Sequence, residues 1–188
     1  EGEPPVQTEV AQPEEPVPII KTSTATVAAT GDVLMHYPVI KTGLDSATGE
    51  YNFDSIFTYF DDYVSAADYA VANLETTLAS TTNGYQYSGY PNFNCPDEIV
   101  DGLMNAGFDM MLTANNHSYD TSLVGYKRTL EVVREKGMTS LGTMLTPEEP
   151  KYIVQDINGI QILERLSADY PGSNSHNQSN RQNDGCNS

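Results

Sequence analysis

The chain has 188 residues, 38% of them hydrophobic and 12 of them Tyr, which is enough to bury a core and argues for one domain with appendages. Its 26 acidic residues against 9 basic ones give a formal charge of -17, which repels nucleic-acid phosphates and anionic lipid surfaces, so nucleic acid is excluded as a partner. Cys95 and Cys186 come without a CxxC or a second ligand pair, which excludes a zinc ribbon and a redox motif; they form one long-range disulfide or, the favoured reading, stay as two free thiols.

Residues 1–22, "EGEPPVQTEVAQPEEPVPIIK" and the Thr after it, have neither helical nor alternating period and read as an acidic, Pro-rich linker. Such a leader is either a tether between a folded domain and a membrane anchor or cell wall, or a plain disordered terminus. The chain opens at Glu1 rather than Met, as it would after removal of a signal peptide. No run of about 18 apolar residues is present, so any membrane link is expected through an anchor outside the given sequence.

Residues 23–162 repeat a short β-prone run followed by an amphipathic stretch, the pattern of alternating β and α units. The first strand is "TATVAAT", Thr24 to Thr30, running into Gly31 and Asp32. "FDSIFTYFDDYVSAA" predicts a helix capped by Asp54, with Ile56, Phe57, Phe60, Tyr63 and Val64 as its apolar stripe. The second strand is Asp68 to Glu75. "CPDEIVDGLMNAGFD" predicts a helix opened by Pro96, striped by Ile99, Val100, Leu103 and Met104, and closed by Gly107. "DMMLTA" is the third strand, and "SLVGYKRTLEVVREKG" a helix carrying Leu123, Tyr126, Leu130 and Val133, with Gly137 as its stop. "MTSLGT" makes a fourth strand and "YIVQDINGIQI" a hairpin turning at Asn158 and Gly159. Residues 163–188 lose the apolar period and are crowded with Asn, Ser and Gln, so they are read as a polar, disordered tail.

Parallel strands in such units share one direction, so their C-terminal tips lie along one edge where a ligand can be held. The first tip delivers Asp32 and His36 in "GDVLMH", the second Asn73 and Glu75 in "NLE", the third Asn115, Asn116, His117 and Asp120 in "NNHSYD". Carboxylate, carboxamide and imidazole donors together suit Mn, Mg, Fe or Zn, and two such ions can clamp a phosphoryl oxygen. A network of capping hydrogen bonds at the strand ends is the alternative for the same residues.

At "ATGDVLMH", "ADYAVANLETTL", "CPDEIVDGLMNAGFDMMLTANNHSYD" and "TLEVVREKGMTSLGT" the chain resembles the CapA capsule and poly-γ-glutamate synthesis proteins, a family similar to the calcineurin-like metallophosphoesterases. The resemblance spans about Thr24 to Ile162. It implies an extracytoplasmic protein, either in the bacterial cell envelope or secreted, with a metallophosphoesterase-like four-layer α/β sandwich of which this chain holds the N-terminal half. It also implies a centre of one or two divalent metal ions.

Carried over by the resemblance, Asp32 is the first acidic ligand and Glu75 stands where the phosphoesterases use a bridging Asp. Asn116 and His117 match an Asn–His pair in which Asn is a ligand and His contacts the scissile group. Asp120 orients His117, while Asn73 and Asn115 support the ligands around them. His36 is a further ligand candidate, although it lies four residues after Asp32 rather than the two of the phosphoesterase pattern. Glu in place of Asp moves the carboxylate by about 1.5 Å. The later His-containing stretch of the family is not recognisable past Ile162, and His176 lies in low-complexity text.

Two functions follow from the resemblance. One is metal-dependent hydrolysis, with His117 protonating the leaving group. The other is a non-catalytic role in assembling or exporting an anionic polymer, poly-γ-glutamate or capsule polysaccharide, or in contacting its synthesis machinery; an inactive fragment belongs with it. The duller alternative is an α/β domain whose polar tips only cap loops.

Overall fold

Alternate residues of a strand point to opposite faces of its sheet, and in β2 (Tyr69–Leu74) both faces are buried. Ala70, Ala72 and Leu74 join the helices in one core, whereas Tyr69 and Val71 belong to a second core on the other face. The computed structural model describes residues 21–165. In it β2 lies between β1 (Val27–Val33) and β3 (Met110–Leu112), and β4 (Thr139–Leu141) completes a parallel sheet in the order β1-β2-β3-β4.

Strands added in sequence order through crossovers of one hand carry their helices on one face. Accordingly α1 (Tyr37–Thr42), α2 (Asp61–Ser65), α3 (Glu98–Asn105) and α4 (Ser122–Glu135) send Ile40, Val64, Ile99, Leu103 and Val133 into the same core as Met111. The opposite face meets the hairpin β5 (Tyr152–Ile157) and β6 (Ile160–Arg165), whose Ile153, Ile157 and Ile162 pack on Tyr69, Met110 and Leu141. Helices, sheet and hairpin make the α/β layering expected. Of the four layers the resemblance implied, the described residues supply these three.

The hairpin turns at Asn158 (φ 56°) and Gly159 (φ 83°), the left-handed pair that a two-residue turn requires. Gly107 (φ +98°) ends α3 with the Ser65 Cα 3.0 Å from where its Cβ would stand, so this stop needs glycine for space as well as for φ.

Several expectations shift. The helix expected over 53–67 is a 3-10 turn at Asp54–Ile56 followed by the short α2. This break turns Tyr63 outward, 79% exposed, while Phe57 and Val64 stay buried. Asp54 caps nothing; its carboxylate accepts from Asn52 Nδ2 at 3.1 Å and Asn105 Nδ2 at 2.9 Å, which holds it below the usual carboxylate range. Met104 faces outward because Ile99, Val100 and Leu103 already fill the buried side of α3. The sequence reading did not anticipate α1, although Pro38 near its start is a common opening for a helix.

β1 begins at Val27 and contains Asp32, rather than ending at Thr30 ahead of it. β6 continues to Arg165, past Ile162. Cys95 is buried as a free thiol, pushed well above its ordinary pKa by burial. The linker expected over residues 1–22 lies outside the described residues except for Lys21 and Thr22, and the tail beyond Arg165 with His176 and Cys186 lies outside them too.

Candidate functional site

Register places the first two tips. β1 follows β2 through Ala29↔Val71, slips by one extra residue, and resumes at Asp32↔Asn73 and Val33↔Leu74. This bulge sets Asp32 directly beside Asn73, whose Nδ2 donates to Asp32 Oδ1 at 2.8 Å and to Glu75 Oε2 at 2.9 Å. One carboxamide thus holds two carboxylates together. Burial, with the Asp32 carboxylate as the next cause, raises the Glu75 carboxyl above its ordinary pKa.

The third tip closes on the second through Asn115. Its Nδ2 donates to Asn73 Oδ1 at 3.0 Å and to the Leu74 carbonyl at 2.9 Å, and its Oδ1 accepts the His117 amide at 3.0 Å. With both ends of its side chain used, Asn115 supports the site rather than offering a donor. His117 Nδ1 lies 2.7 Å from Asp120 Oδ2, and its Nε2 is turned toward Glu75, 3.9 Å from Oε1. The Asp120 carboxylate accepts from Nδ1–H, so the neutral imidazole carries its lone pair on Nε2, facing the carboxylates.

Six of the expected residues, Asp32, Asn73, Glu75, Asn115, His117 and Asp120, therefore share one network. Two stand apart. Asn116 is exposed and makes no side-chain hydrogen bond among the described residues. His36 lies behind the ring of Phe93, which meets His36 edge-on at 5.1 Å and His117 edge-on at 4.6 Å.

Phe93 is the site residue that sequence reasoning missed. It is 1% exposed, and its amide donates to the same Asp120 Oδ2 that holds His117, at 2.7 Å. The loop bearing it is fixed by Asn94, whose side chain binds the Ala79 amide and the Gln86 carbonyl, and by Thr77 Oγ1, which donates to the Phe93 carbonyl at 2.7 Å. No periodicity marks such a loop; the one local signal was an apolar residue inside "YPNFNCP".

The donor chemistry suits a hard divalent cation through the abutting carboxylates of Asp32 and Glu75. Among the described residues no group of three His, Cys, Asp or Glu side chains has the geometry to hold a metal ion. A third donor must then come from carboxamide, backbone carbonyl or water.

The family described as "Bacterial capsule synthesis protein PGA_cap" matches residues 26–187 of the chain. The chain is 26% identical over 140 residues to "Capsule biosynthesis protein CapA" of Bacillus anthracis, covering 73% of this chain and 33% of that protein. It is 28% identical over 134 residues to "PGA biosynthesis protein CapA" of Bacillus subtilis (strain 168), covering 70% of this chain and 34% of that one. The chain thus spans about a third of the length of the curated relatives it matches.

Proposed function

Since the chain belongs to the CapA family of bacterial capsule synthesis proteins, a metallophosphoesterase-like α/β group, we propose that it serves capsule or poly-γ-glutamate biosynthesis at the cell envelope. On this reading its strand-tip network is a metal-dependent hydrolytic centre working outside the cytoplasm. One arrangement carries it: His117 is held by Asp120 at Nδ1, 2.7 Å away, and presents Nε2 to a carboxylate pair delivered by two neighbouring strands.

Asp32 and Glu75 would hold one divalent ion, Mn, Mg, Fe or Zn, and the free amide of exposed Asn116 is the nearest unused donor in sequence. A second ion would need ligands beyond these. Such an ion supplies Lewis-acid polarisation of a phosphoryl or amide oxygen and a more acidic water. The chain's own residues do the rest. Asn73 keeps the two carboxylates abreast, Asn115 locks the third tip to the second, and Asp120 fixes the imidazole. His117 Nε2 is placed to carry a proton to a leaving group and, once neutral, to take one back.

The test is a calorimetric titration of metal-stripped chain with Mn²⁺, beside Glu75→Ala. Uptake that the variant loses supports the centre, and hydrolysis of a phosphate monoester that His117→Ala lacks supports the chemistry. Uptake in neither chain overturns the reading.

A second reading is favoured by the missing three-residue donor set among the described residues. Here the chain is a non-catalytic assembly component. With a formal charge of -17 it would meet an anionic polymer through bridging cations, or dock on the synthesis machinery instead. No helix of the described residues is long and apolar enough to cross a membrane, and an anchor elsewhere would supply any attachment.

A further inference from the structure

Beside the carboxylate pair lies a cavity of about 320 Å³, walled by the bulged stretch of β1 and by Val39, Ile56, Phe57, Phe60 and Phe108. Asp32 is the one charged residue in its described lining, and it is the same Asp32 that shares Asn73 with Glu75. The aromatic wall is preformed. Phe57, Phe60 and Phe108 meet one another edge-on, with ring centroids 5.6, 6.4 and 6.4 Å apart, so each ring is braced by the other two. At Gly31, within the bulge, an added Cβ would meet nothing within 4 Å, which leaves the cavity open on that side.

A volume of this order is at the lower end of ordinary small-molecule sites, roughly 300 to 1,000 Å³, which pair an apolar lining with a few polar groups. Water gains few hydrogen bonds against the half-buried Phe60 ring and the accessible edges of the buried Phe57 and Phe108, and a chain of glutamate units, charged at every repeat, would leave these uncovered. An apolar group fills them, and Asp32 joins that group to the centre. We propose that this cavity is a subsite for the apolar part of the substrate, which is a phosphate ester of an apolar alcohol whose phosphate lies at the Asp32–Glu75 pair. The assignment rests on the reading of that pair as a cation-binding centre.

The test uses the full chain with saturating Mn²⁺ and compares hexyl phosphate with inorganic phosphate by calorimetry. Hexyl phosphate is expected to bind about tenfold tighter or better, since several methylenes leave water. In Ile56→Trp, which fills the cavity from the wall away from β1, the preference should vanish while Mn²⁺ and inorganic phosphate bind as before. Phe60→Leu, which removes one ring, should weaken the preference in the same direction. Equal affinity for the two phosphates in the parent chain, or an undiminished preference in Ile56→Trp, overturns the subsite.

Failure of the centre reads differently, as no Mn²⁺ uptake at all. The cavity is then decided on metal-free chain with hexanol. Saturable shifts of the Phe60 ring resonances, absent from Ile56→Trp, uphold the apolar subsite, and no shifts overturn it.

Discussion

Asp120 holds Phe93 as firmly as it holds His117: the Phe93 amide donates to Asp120 Oδ2 at 2.7 Å across 27 residues of sequence, and His117 Nδ1 approaches the same oxygen at 2.7 Å. One carboxylate oxygen therefore fixes both the imidazole and the ring packed against it.

Replacing Asp120 should separate these two roles. Asp120→Ala leaves the Phe93 N–H buried without an acceptor and should cost about 1–3 kcal/mol of stability. Asp120→Asn keeps an oxygen for that amide and should cost less than half as much. On the hydrolytic reading its activity should still fall by about 10- to 100-fold, because the orienting carboxylate is gone. Urea denaturation and a phosphatase assay on the two variants check this; equal stability losses would mean that the Phe93 contact contributes nothing.

If the centre holds a cation, metal should stabilise the chain with the logarithm of its concentration once that exceeds the Kd. A ligand that binds the folded state at 100 times its Kd adds about 2.7 kcal/mol, so the melting temperature should climb with Mn²⁺ and return on chelation. Glu75→Gln should abolish that climb. Its metal-free melting temperature should not fall below the parent's, since the substitution removes a half-buried carboxylate crowded by Asp32. A flat melting temperature across Mn²⁺ concentrations in the parent would count against the centre.

Arg128 joins α4 to the start of α3. Its Nη1 and Nη2 meet Asp97 Oδ1 and Oδ2 at 2.7 and 2.6 Å, and Nη1 also donates to the Leu78 carbonyl. Arg128→Lys keeps the charge but loses the planar fork, and should cost about 1–2 kcal/mol. A double-mutant cycle with Asp97→Ala measures the pair; a coupling near zero would show the fork to be replaceable.

Glu149 gives a pH-dependent term. Arg134, 2.7 Å away, holds its carboxyl below the ordinary 4.5, with help from the Leu145 and Thr146 amides and against some burial. A folded-state pKa below the unfolded one stabilises the chain above the unfolded value, and the gain is lost as pH falls through the folded one. Glu149→Gln should therefore lower the melting temperature at pH 7, and the difference from the parent should shrink once the pH falls below the ordinary Glu value of about 4.3. A difference that is the same at both pH values would refute the ion pair as its source.

The alternation of strand and helix was legible because its signals are local. Ile99, Val100 and Leu103 repeat at helical spacing, Gly107 and Gly137 stop their helices, and Asn158–Gly159 turns the hairpin. The polar cluster after Met110, Met111 and Leu112 was legible as well, since the polar side chains of "NNHSYD" at the end of an apolar strand must find hydrogen-bond partners, and Asn115, His117 and Asp120 do. What stayed hidden depends on distant partners. The slip that aligns Asp32 with Asn73 needs β2 beside β1, and the break between Ile56 and Asp61 leaves no mark in the apolar stripe. Phe93 was invisible for the same reason, because its place is set by Asp120, Thr77 and Asn94 rather than by its neighbours' pattern.

The slip in β1 also bears on self-association. Among the described residues β1 and β4 are the two margins of the parallel sheet, and a long regular margin is a template on which a second chain can add a strand. The extra residue between Ala29 and Asp32 interrupts that template and bends it, and the opposite margin, β4, is three residues long. The irregularity that brings Asp32 to Asn73 thus also breaks the ladder that the β1 margin would present to a second chain.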